Sequence, residues 1–373
     1  MQCTGKASSL LDQELETVGI EAGKESMEQE HKRRPHYSGT HPKRFEEKYK
    51  EHQPEKYGET VQKVMKKGST PAGMHISIMV NEILDFLQIK PGQRGLDATL
   101  GYGGHTRAML DMLQGSGHVT ALDVDPVESA KTLERLRAAG YGEELLTVQL
   151  INFANIDQVA EKAGKFDFVL ADLGVSSMQI DDPSRGFSYK VNAPLDLRMN
   201  PLQGISAAER LAELTLEELI GLLVENSDEP YAEKIARQVF KRRAAGKPVQ
   251  TTFDYRDAIR DALAFLPVKE REEEQKKACQ RCFQALRIDV NSEFEVLYAF
   301  LEKLPKVLNP GGRAAILTFH SGEDRLVKKS FQELARAGVY SEISKDVIRP
   351  GQEEIFRNPR AKSTKMRYCI RSL

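Results

Sequence analysis

Apolar runs and amphipathic stretches alternate along residues 75–172. The apolar runs have the length of buried strands and lie near 94–99, 118–123, 146–151 and 166–172. The stretches between them have helical spacing and lie near 104–113, 126–139 and 155–163, and one more helix precedes the first strand. This alternation is typical of βαβ units, so it predicts an α/β fold with a doubly wound parallel sheet.

The pattern changes to helices alone over residues 183–288. Ser206 with Glu209, and Thr215 with Glu218, have the spacing of capping boxes, which mark the starts of helices. Apolar positions recur at helical spacing after each box. We therefore predict an all-helical domain inserted into the α/β fold.

The α/β pattern resumes after the helical region. Ser292 with Glu295 is expected to open a helix, which leads to a Pro-Gly-Gly turn at 310–312 and a fifth strand. A last pair of strands is predicted near 340–348 and 366–371. The end of the chain thus completes the first sheet.

These patterns divide the chain into three parts. Residues 71–182 and 289–373 are predicted to form one α/β domain, and residues 183–288 an inserted helical domain for substrate recognition. Residues 1–70 are polar, rich in Glu, Lys, His and Pro, and show no sustained apolar period. We expect them to form a flexible basic arm.

Composition narrows the location and the chemistry. No run approaches the roughly 18 apolar residues that span a bilayer, and the N-terminus lacks a signal pattern, so we expect a cytoplasmic protein with no membrane partner. The four cysteines are too few and too scattered for a disulfide framework. Cys279 and Cys282 lie on a helical segment, and the histidines of the arm lack the spacing of zinc ligands. We therefore predict no metal site.

Charge is unevenly distributed, although the formal net charge is −1. Residues 31–67 carry 11 Lys and Arg against 5 Glu, and residues 234–253 and 355–373 each carry 6 basic residues and no acidic one. Such patches are candidate phosphate-contacting surfaces. Solvated helix faces are the alternative interpretation.

A glycine turn lies between the first strand and the helix that follows it. Gly101, Gly103 and Gly104 allow positive φ and leave the backbone bare, so a ligand can lie against it. Asp123 ends the second strand, where a carboxylate can accept hydrogen bonds from ribose hydroxyls. The Gly-x-Gly-Gly spacing differs from the turn that seats a pyrophosphate, which favours an adenosine cofactor without phosphates. Taken alone, the turn is equally typical of a plain loop.

Later segments make the interpretation specific. The strand that ends at Asp172 and the Pro-Gly-Gly turn before the fifth strand resemble S-adenosylmethionine (SAM) methyltransferases, whose sheet is Rossmann-like. An ordered series of motifs resembles the bacterial 16S ribosomal RNA cytosine-N4 methyltransferases over roughly residues 75–373. Gly322 stands where that family usually has leucine. The motifs are Asp172–Asp182, Arg185–Ser188, Pro194–Pro201, Phe283–Asn291, Phe319–Arg325 and Asn358–Ser363.

The resemblance implies SAM as the cofactor and assigns residues to its site. Core packing is the alternative role for Phe153, and helix capping is the alternative for His105. The implied cofactor-binding residues are Gly101, Gly103, Gly104 and His105 in the turn, Asp123 at the ribose, Phe153 beside the adenine, and Asp172 and Gln179 in the rest of the pocket.

The implied reaction is methyl transfer to the exocyclic N4 amine of a cytosine. This nitrogen is a weak nucleophile because its lone pair is delocalised into the ring, so positioning and a proton acceptor are needed. Asp172, at a strand end, is the first candidate for the acceptor, with Ser176 and Ser177 as orienting hydroxyls. His320 is the second candidate, since it follows the fifth strand.

The implied substrate is 16S ribosomal RNA, naked or within the small ribosomal subunit. Phe187 and Tyr189 are candidates to stack on an unpaired or flipped base, and packing within the insertion is the alternative. Arg198 and Arg287 are also suited to tie the two domains together through carboxylates. The full set of candidate phosphate contacts is Arg185, Arg198, Arg287, Arg360, Lys362, Lys365 and Arg367.

Two other classes of function compete with this one. A non-catalytic RNA-binding or ribosome-assembly factor could retain the cofactor pocket, and a methyltransferase could act on another nucleic-acid or small-molecule amine. Intact turn glycines and strand-end carboxylates argue against a decayed pocket, and the basic C-terminal patch favours RNA. The sequence leaves open which cytosine is modified and whether the chain is a homodimer.

Overall fold

The structure, a computed structural model, describes residues 77–373. The arm predicted over residues 1–70, with its histidines, lies outside the described residues. The apolar runs predicted to be strands are all strands of one sheet, with ends shifted by a few residues. In the described part of the chain the strands are β1 Arg94–Asp97, β2 His118–Asp123, β3 Leu146–Leu150, β4 Phe166–Asp172, β5 Leu308–Thr318, β6 Tyr340–Ile343 and β7 Lys365–Arg371.

The strand order across the sheet is β3-β2-β1-β4-β5-β7-β6. Strands β1 to β5 run parallel, which confirms the doubly wound α/β core. Strand β7, however, lies antiparallel between β5 and β6, so the sheet is mixed rather than parallel throughout. The connection from β6 to β7 runs over residues 344–364 and includes α13, and it brings β7 back antiparallel to β6.

Helices pack on both faces of the sheet and also form the insertion between β4 and β5. None of those in residues 77–373 is both long and apolar enough to cross a bilayer. The helices are α1 Val80–Leu87, α2 Gly104–Leu113, α3 Pro126–Ala138, α4 Ile156–Ala163, α5 Ser177–Asp181, α6 Ala207–Glu213, α7 Leu216–Ser227, α8 Ala232–Ala244, α9 Thr252–Ala262, α10 Val268–Asn291, α11 Glu293–Val307, α12 Ser321–Arg336 and α13 Gln352–Arg357.

The predicted capping boxes at the starts of α6 and α7 are confirmed. In the first, Ser206 Oγ accepts a hydrogen bond from the Glu209 amide at 3.3 Å. The helix start predicted from Ser292 and Glu295 is also confirmed, since α11 begins at Glu293, although the Ser292 side chain caps no amide. Ser292 is the single residue between α10 and α11, and its φ of +48° differs from the extended backbone of a capping residue.

Buried apolar side chains form three clusters. Two lie on opposite faces of the sheet: along β4, Val169 and Ala171 belong to one, and Phe168 and Leu170 to the other. The third consists largely of side chains from α6 to α10, so the inserted helices have a core of their own. The described residues nevertheless belong to one compact unit, and the limits of the predicted domains stay a prediction.

Three neighbouring strands bring carboxylates to one edge of the sheet. β1 ends at Asp97, β2 at Asp123 and β4 at Asp172, and β1 lies between the other two. Because these strands are parallel, their carboxyl ends lie at the same edge, where open α/β sheets bind their ligands. This edge holds the candidate active site.

We expect Gly95→Ala to destabilise the sheet. A Cβ at Gly95 in β1 would lie 1.9 Å from Cε2 of Phe168 in β4, so the ring or the strand must shift. The free energy of unfolding should fall by roughly 1–3 kcal/mol, measured by urea denaturation.

The matched control is Gly221→Ala in α7, where a Cβ would meet nothing within 4 Å. This change should raise the free energy of unfolding by up to about 1 kcal/mol, because alanine is the better helix former. If Gly95→Ala and the unaltered protein have equal free energies of unfolding, the Phe168 ring or strand β1 can shift without loss of stability.

Candidate active site

The glycine turn between β1 and α2 forms one wall of a cavity of about 750 Å³. Gly103 has a φ of +78°, and a Cβ there would lie 2.7 Å from Thr132 Cγ2. A Cβ at Gly104 would lie 1.9 Å from Ser77 Oγ. Gly103 is constrained by its φ and by Thr132, whereas at Gly104 the Ser77 side chain would have to turn away. Both glycines line the cavity and present bare backbone to it.

Asp123 holds this turn from the end of β2. Its Oδ2 accepts a hydrogen bond from the Gly101 amide at 2.9 Å, and its Oδ1 accepts one from the Asp125 amide at 2.9 Å. Burial raises the pKa of the Asp123 carboxyl to about 6. The carboxylate is thus held in place at the cavity wall, at the strand end where the sequence predicts a ribose-binding acid.

Asp172, at the end of β4, is only partly satisfied by the protein. Its Oδ1 is buried and has no hydrogen-bond partner among the described residues. Its Oδ2 lies 3.5 Å from His105 Nδ1, and 26% of the side chain is exposed. Burial raises the pKa of Asp172 to about 6, against the opposing effect of His105. A carboxyl group perturbed in this way beside a cavity is typical of a functional site.

His105 connects Asp172 to the segment that precedes α1. It lies in the first turn of α2, is buried, and its Nε2 is 2.9 Å from the carbonyl oxygen of Ile78. Capping is not its role, because the N-cap of α2 is Gly103. The Nε2 atom thus contacts the segment before α1 at Ile78, and the Nδ1 atom faces the Asp172 carboxylate.

The cavity brings together residues that are distant in sequence. Phe153 stands in its wall and contacts Phe300 edge-on, with ring centroids 5.3 Å apart, so part of the ring serves core packing. Both predicted orienting hydroxyls, Ser176 and Ser177, also line it. Every residue predicted to bind the cofactor lines the cavity: Gly101, Gly103, Gly104, His105, Asp123, Phe153, Asp172 and Gln179.

Ser176 and Gln179 form a capping box at the start of α5. Ser176 Oγ accepts from the Gln179 amide at 3.2 Å, and Gln179 Oε1 accepts from the Ser176 amide at 2.9 Å. Gln179 Nε2 also donates to Asp125 Oδ2 at 3.2 Å. These contacts fix α5 against the loop after β2, so Ser176 is engaged as a helix cap.

His320 is not among the residues that line the cavity. Its Nε2 lies 3.2 Å from Glu323 Oε1, and its ring centroid is 5.8 Å from that of Phe294. A Cβ at Gly322 would lie 2.6 Å from Phe294 Cζ, so the ring fills the space that leucine would need there. The geometry therefore favours Asp172 over His320 as the proton acceptor.

Glu293, His320 and Glu323 offer potential metal-ligand atoms within 4.8 Å of one another. However, both Glu293 oxygens already accept hydrogen bonds from Arg287, at 2.7 and 2.8 Å. Glu323 Oε2 accepts from the Phe319 amide at 2.8 Å. These carboxylates are engaged by protein donors, so we assign no metal to the cluster.

Arg185 is buried rather than placed on a phosphate-contacting surface. Its Nη1 donates to Asp125 Oδ2 at 2.7 Å, and its Nη2 donates to the carbonyl oxygens of Arg198 and Met199 at 3.0 and 2.8 Å. The Arg185 and Asp125 side chains are only 10% and 1% exposed. We therefore remove Arg185 from the candidate phosphate contacts, because its guanidinium ties the insertion to the loop after β2.

The other two candidate arginines of the insertion, Arg198 and Arg287, are also paired. Arg198 donates to Asp196 in a two-point contact, at 2.9 and 2.7 Å. Arg287 near the end of α10 pairs with Glu293 at the start of α11, which is the domain-tying role weighed for it from the sequence. Arg287 also lines the cavity.

The basic residues near the C-terminus fall into two groups. Arg360 and Lys362 line the cavity; Arg360 pairs with Asp181 at 2.8 Å, and its side chain is 39% exposed. Arg367 is buried and donates to Asp324 at 2.7 Å, and Lys365 lies 3.4 Å from the same carboxylate. Arg360 and Lys362 therefore remain the better placed candidates for RNA contact.

The two aromatic residues predicted to stack on a base also contact the helical core. Phe187 and Tyr189 are partly buried against this cluster. The Tyr189 ring lies 5.8 Å from that of Phe283, measured between centroids. These contacts support the alternative of packing within the insertion, and base stacking by the partly exposed rings stays a prediction.

The sequence model of the MraW methylase family matches residues 72–372. This chain belongs to the MraW methylase family. A relative from Lachnoclostridium phytofermentans, "Ribosomal RNA small subunit methyltransferase H 1", is 66% identical over 348 residues, which cover 93% of this chain and 95% of the relative. The protein of the same name from Agathobacter rectalis is 63% identical and covers 93% of this chain and 99% of its own length. "Ribosomal RNA small subunit methyltransferase H" from Thioalkalivibrio sulfidiphilus is 36% identical, covering 81% and 98%.

In this MraW-family chain, sequence reasoning missed two buried acids. Asp97 is fully buried and accepts a hydrogen bond from Thr106 Oγ1 at 2.6 Å. Asp125 Oδ1 caps α3 by accepting from the Val127 and Glu128 amides, at 3.0 and 3.2 Å. The Asp-Pro pair at the start of α3 is a helix-start signal that could have identified Asp125. Its second partner, Arg185, is too distant in sequence for any local signal.

We expect Asp172→Asn to stabilise the MraW-family fold at alkaline pH. Because the folded pKa is raised to about 6 from its ordinary 3.8, the ionised carboxylate costs stability above pH 6 and costs none below about pH 4. The variant should gain roughly 1–3 kcal/mol at pH 8, and the gain should vanish at pH 4. Thermal unfolding across this pH range measures the difference.

Asp157→Asn is the matched control of opposite sign. Asp157 pairs with Lys303 at 2.9 Å, and this hydrogen bond lowers the pKa of Asp157. Its loss should leave stability unchanged or slightly reduced at pH 8. A gain for Asp172→Asn that is equal at pH 4 and pH 8 would show that burial of the ionised group is not its cause.

Proposed function

We propose that this protein transfers a methyl group from SAM to the exocyclic N4 amine of a cytosine in 16S ribosomal RNA. The observation that carries the proposal is the meeting of the glycine turn, Asp123 and the half-satisfied Asp172 in one cavity. Family membership and the names of the relatives support the RNA substrate. We expect the reaction in the cytoplasm, on small-subunit RNA.

The cavity suits SAM on the evidence of its own residues. Gly103 and Gly104 line the cavity, and because they lack side chains a ligand can lie against their backbone. Asp123 is held so that it can accept hydrogen bonds from ribose hydroxyls, and the Phe153 ring offers an apolar face to the adenine. When bound, SAM supplies a methyl group on a positively charged sulfur, which a nucleophile attacks in line.

Asp172 is the proposed proton acceptor. At neutral pH its carboxyl, with a pKa of about 6, is mostly ionised, and it lines the cavity. A hydrogen bond from N4 would localise the nitrogen lone pair, which forms the new N–C bond while the S–C electrons remain on sulfur. The proton released from N4 passes to Asp172. His105 Nδ1 lies 3.5 Å from Oδ2, where a protonated imidazole favours the ionised carboxylate.

In the first test, the purified protein is incubated with labelled SAM and with small ribosomal subunits from a strain that lacks the endogenous activity. The nucleosides of the RNA are then analysed by mass spectrometry. We expect N4-methylcytidine with the unaltered protein. Asp172→Asn should lower kcat by roughly 100-fold or more, because it removes the general base. The unaltered protein should also lose activity as the pH falls through about 6, when Asp172 becomes protonated.

Saturating SAM separates this pH effect from protonation of Asp123, whose pKa is also about 6. His320→Ala is the comparison variant, since His320 does not line the cavity, and it should retain most of kcat if it folds. Cofactor binding without any methylated nucleoside would favour the non-catalytic ribosome-assembly factor. Near-normal turnover by folded Asp172→Asn would remove Asp172 from the mechanism.

A second prediction concerns the cations at the cavity. Replacing Arg360 and Lys362 together by alanine should raise the KM for RNA and leave SAM affinity unchanged. The slope of log affinity against log salt should flatten by about 1–2, since up to two phosphate contacts are lost. Filter binding of small-subunit RNA at several salt concentrations measures this slope.

Lys277→Ala is the matched control for charge removal. Lys277 lies on α10, is 46% exposed and pairs with Glu273 and Glu274, as expected of a solvated helix face. It should leave the salt slope unchanged. An equal effect of Lys277→Ala and of the double variant would mean that only overall charge, and not the cavity mouth, governs RNA binding.

A further inference from the structure

Phe356 is exposed on the short helix α13. Its exposed fraction, 88%, is larger than that of any other aromatic side chain among residues 77–373. Leaving an apolar ring of this size in water forgoes the free energy of burial. Single exposed apolar residues are common, so the surroundings of Phe356 decide whether it has a partner.

The segment around Phe356 is held at a defined place. Glu354 Oε1 accepts a hydrogen bond from the Met79 amide at 2.7 Å, which ties α13 to the start of α1. Asn358 Oδ1 accepts from the Arg360 amide at 3.2 Å, and Ala361 is buried. Phe356 therefore lies on a ridge, residues 352–363, that is held to the rest of the protein by Glu354 and by the buried Ala361.

This ridge borders the cavity. Asn358, two residues after Phe356, lines the cavity, as do Arg360 and Lys362. Lys362 is exposed and forms no ion pair within the described part of the chain. The ridge thus combines an exposed aromatic face with cations at the edge of the proposed methyl-transfer site.

This combination matches the chemistry of single-stranded RNA binding. Cations track the phosphates, and aromatic rings stack on the base faces. A cytosine inside a helix cannot reach an enclosed cavity unless it leaves its stack, and its departure exposes one face of the adjacent base. Phe187 and Tyr189, the stacking candidates from the sequence, are partly buried against the helical core, whereas Phe356 is largely exposed.

We propose that Phe356 stacks on the RNA base next to the cytosine that enters the cavity, while Arg360 and Lys362 contact the flanking phosphates. Phe356 is then a substrate-positioning residue that favours an unstacked neighbouring base. This inference rests on the proposed function, since it assumes an RNA substrate at the same cavity.

The test compares Phe356→Ala and Phe356→Trp with the unaltered protein in binding to small ribosomal subunits from the strain that lacks the endogenous activity. Phe356→Ala should weaken binding about tenfold, or about 1.4 kcal/mol, at fixed salt. Phe356→Trp should bind as tightly as the unaltered protein, because indole also stacks. SAM affinity should stay the same in both variants.

The salt dependence separates stacking from charge. A ring neutralises no phosphate, so Phe356→Ala should leave the slope of log affinity against log salt unchanged. The Arg360 and Lys362 double variant should flatten this slope. Val268→Ala, at the first residue of α10 and 80% exposed, is the control for loss of an exposed apolar side chain. It should bind as the unaltered protein does.

Unchanged binding by Phe356→Ala, or equal loss in Phe356→Ala and Phe356→Trp, would overturn the stacking role. A shift from dimer to monomer in sedimentation of Phe356→Ala would also overturn it and assign the face to contact between two copies of the chain. Binding is measured without turnover. If the subunits bind but yield no N4-methylcytidine, the proposed function is refuted, and the comparison of binding between the Phe356 variants can still be interpreted.

Discussion

The site depends on holding three carboxylates close together at one buried edge of the sheet. A buried carboxylate is costly unless donors satisfy it. Asp97 accepts hydrogen bonds from the side chain of Thr106 and the amide of Thr99, and Asp123 accepts from two loop amides. Of these three acids, Asp172 alone has a buried oxygen that accepts no hydrogen bond from a described residue. The carboxylate with the fewest hydrogen-bond donors is thus the one proposed to accept the proton. Its burial raises its pKa, as is typical of groups at functional sites.

A second buried pair connects this edge to the helical insertion. Asp125 caps α3 with one oxygen and accepts from Arg185 and Gln179 with the other. Arg185 in turn donates to the carbonyl oxygens of the insertion loop at 198 and 199. Asn291, at the end of α10, accepts from the Met199 amide at 2.7 Å. The loop after β2 and the proposed substrate domain are therefore positioned by one shared set of hydrogen bonds.

Whether a basic residue can bind RNA depends on whether it is already paired with a carboxylate of the protein. Cations that looked equivalent along the chain differ in the structure, because Arg185 and Arg367 are buried against carboxylates whereas Arg360 and Lys362 reach the cavity. Only cations that can reach solvent or the cavity can release counterions from a nucleic acid. The proposed RNA surface is accordingly smaller than the charge pattern indicated, and Phe356 adds an apolar contact to it.

Local patterns were sufficient to predict the strands, the glycine turn and two of the three strand-end acids, Asp123 and Asp172, because each depends on residues that are close in sequence. The same holds for the capping boxes of α6 and α7. Partners that are distant in sequence could not be predicted in this way: Arg185 is 60 residues from Asp125, and Arg367 is 43 residues from Asp324. The sequence by itself determined which chemical groups the sheet edge would carry. Only the tertiary structure decided which were buried, paired or open to a ligand, since burial and pairing arise where separate elements pack together.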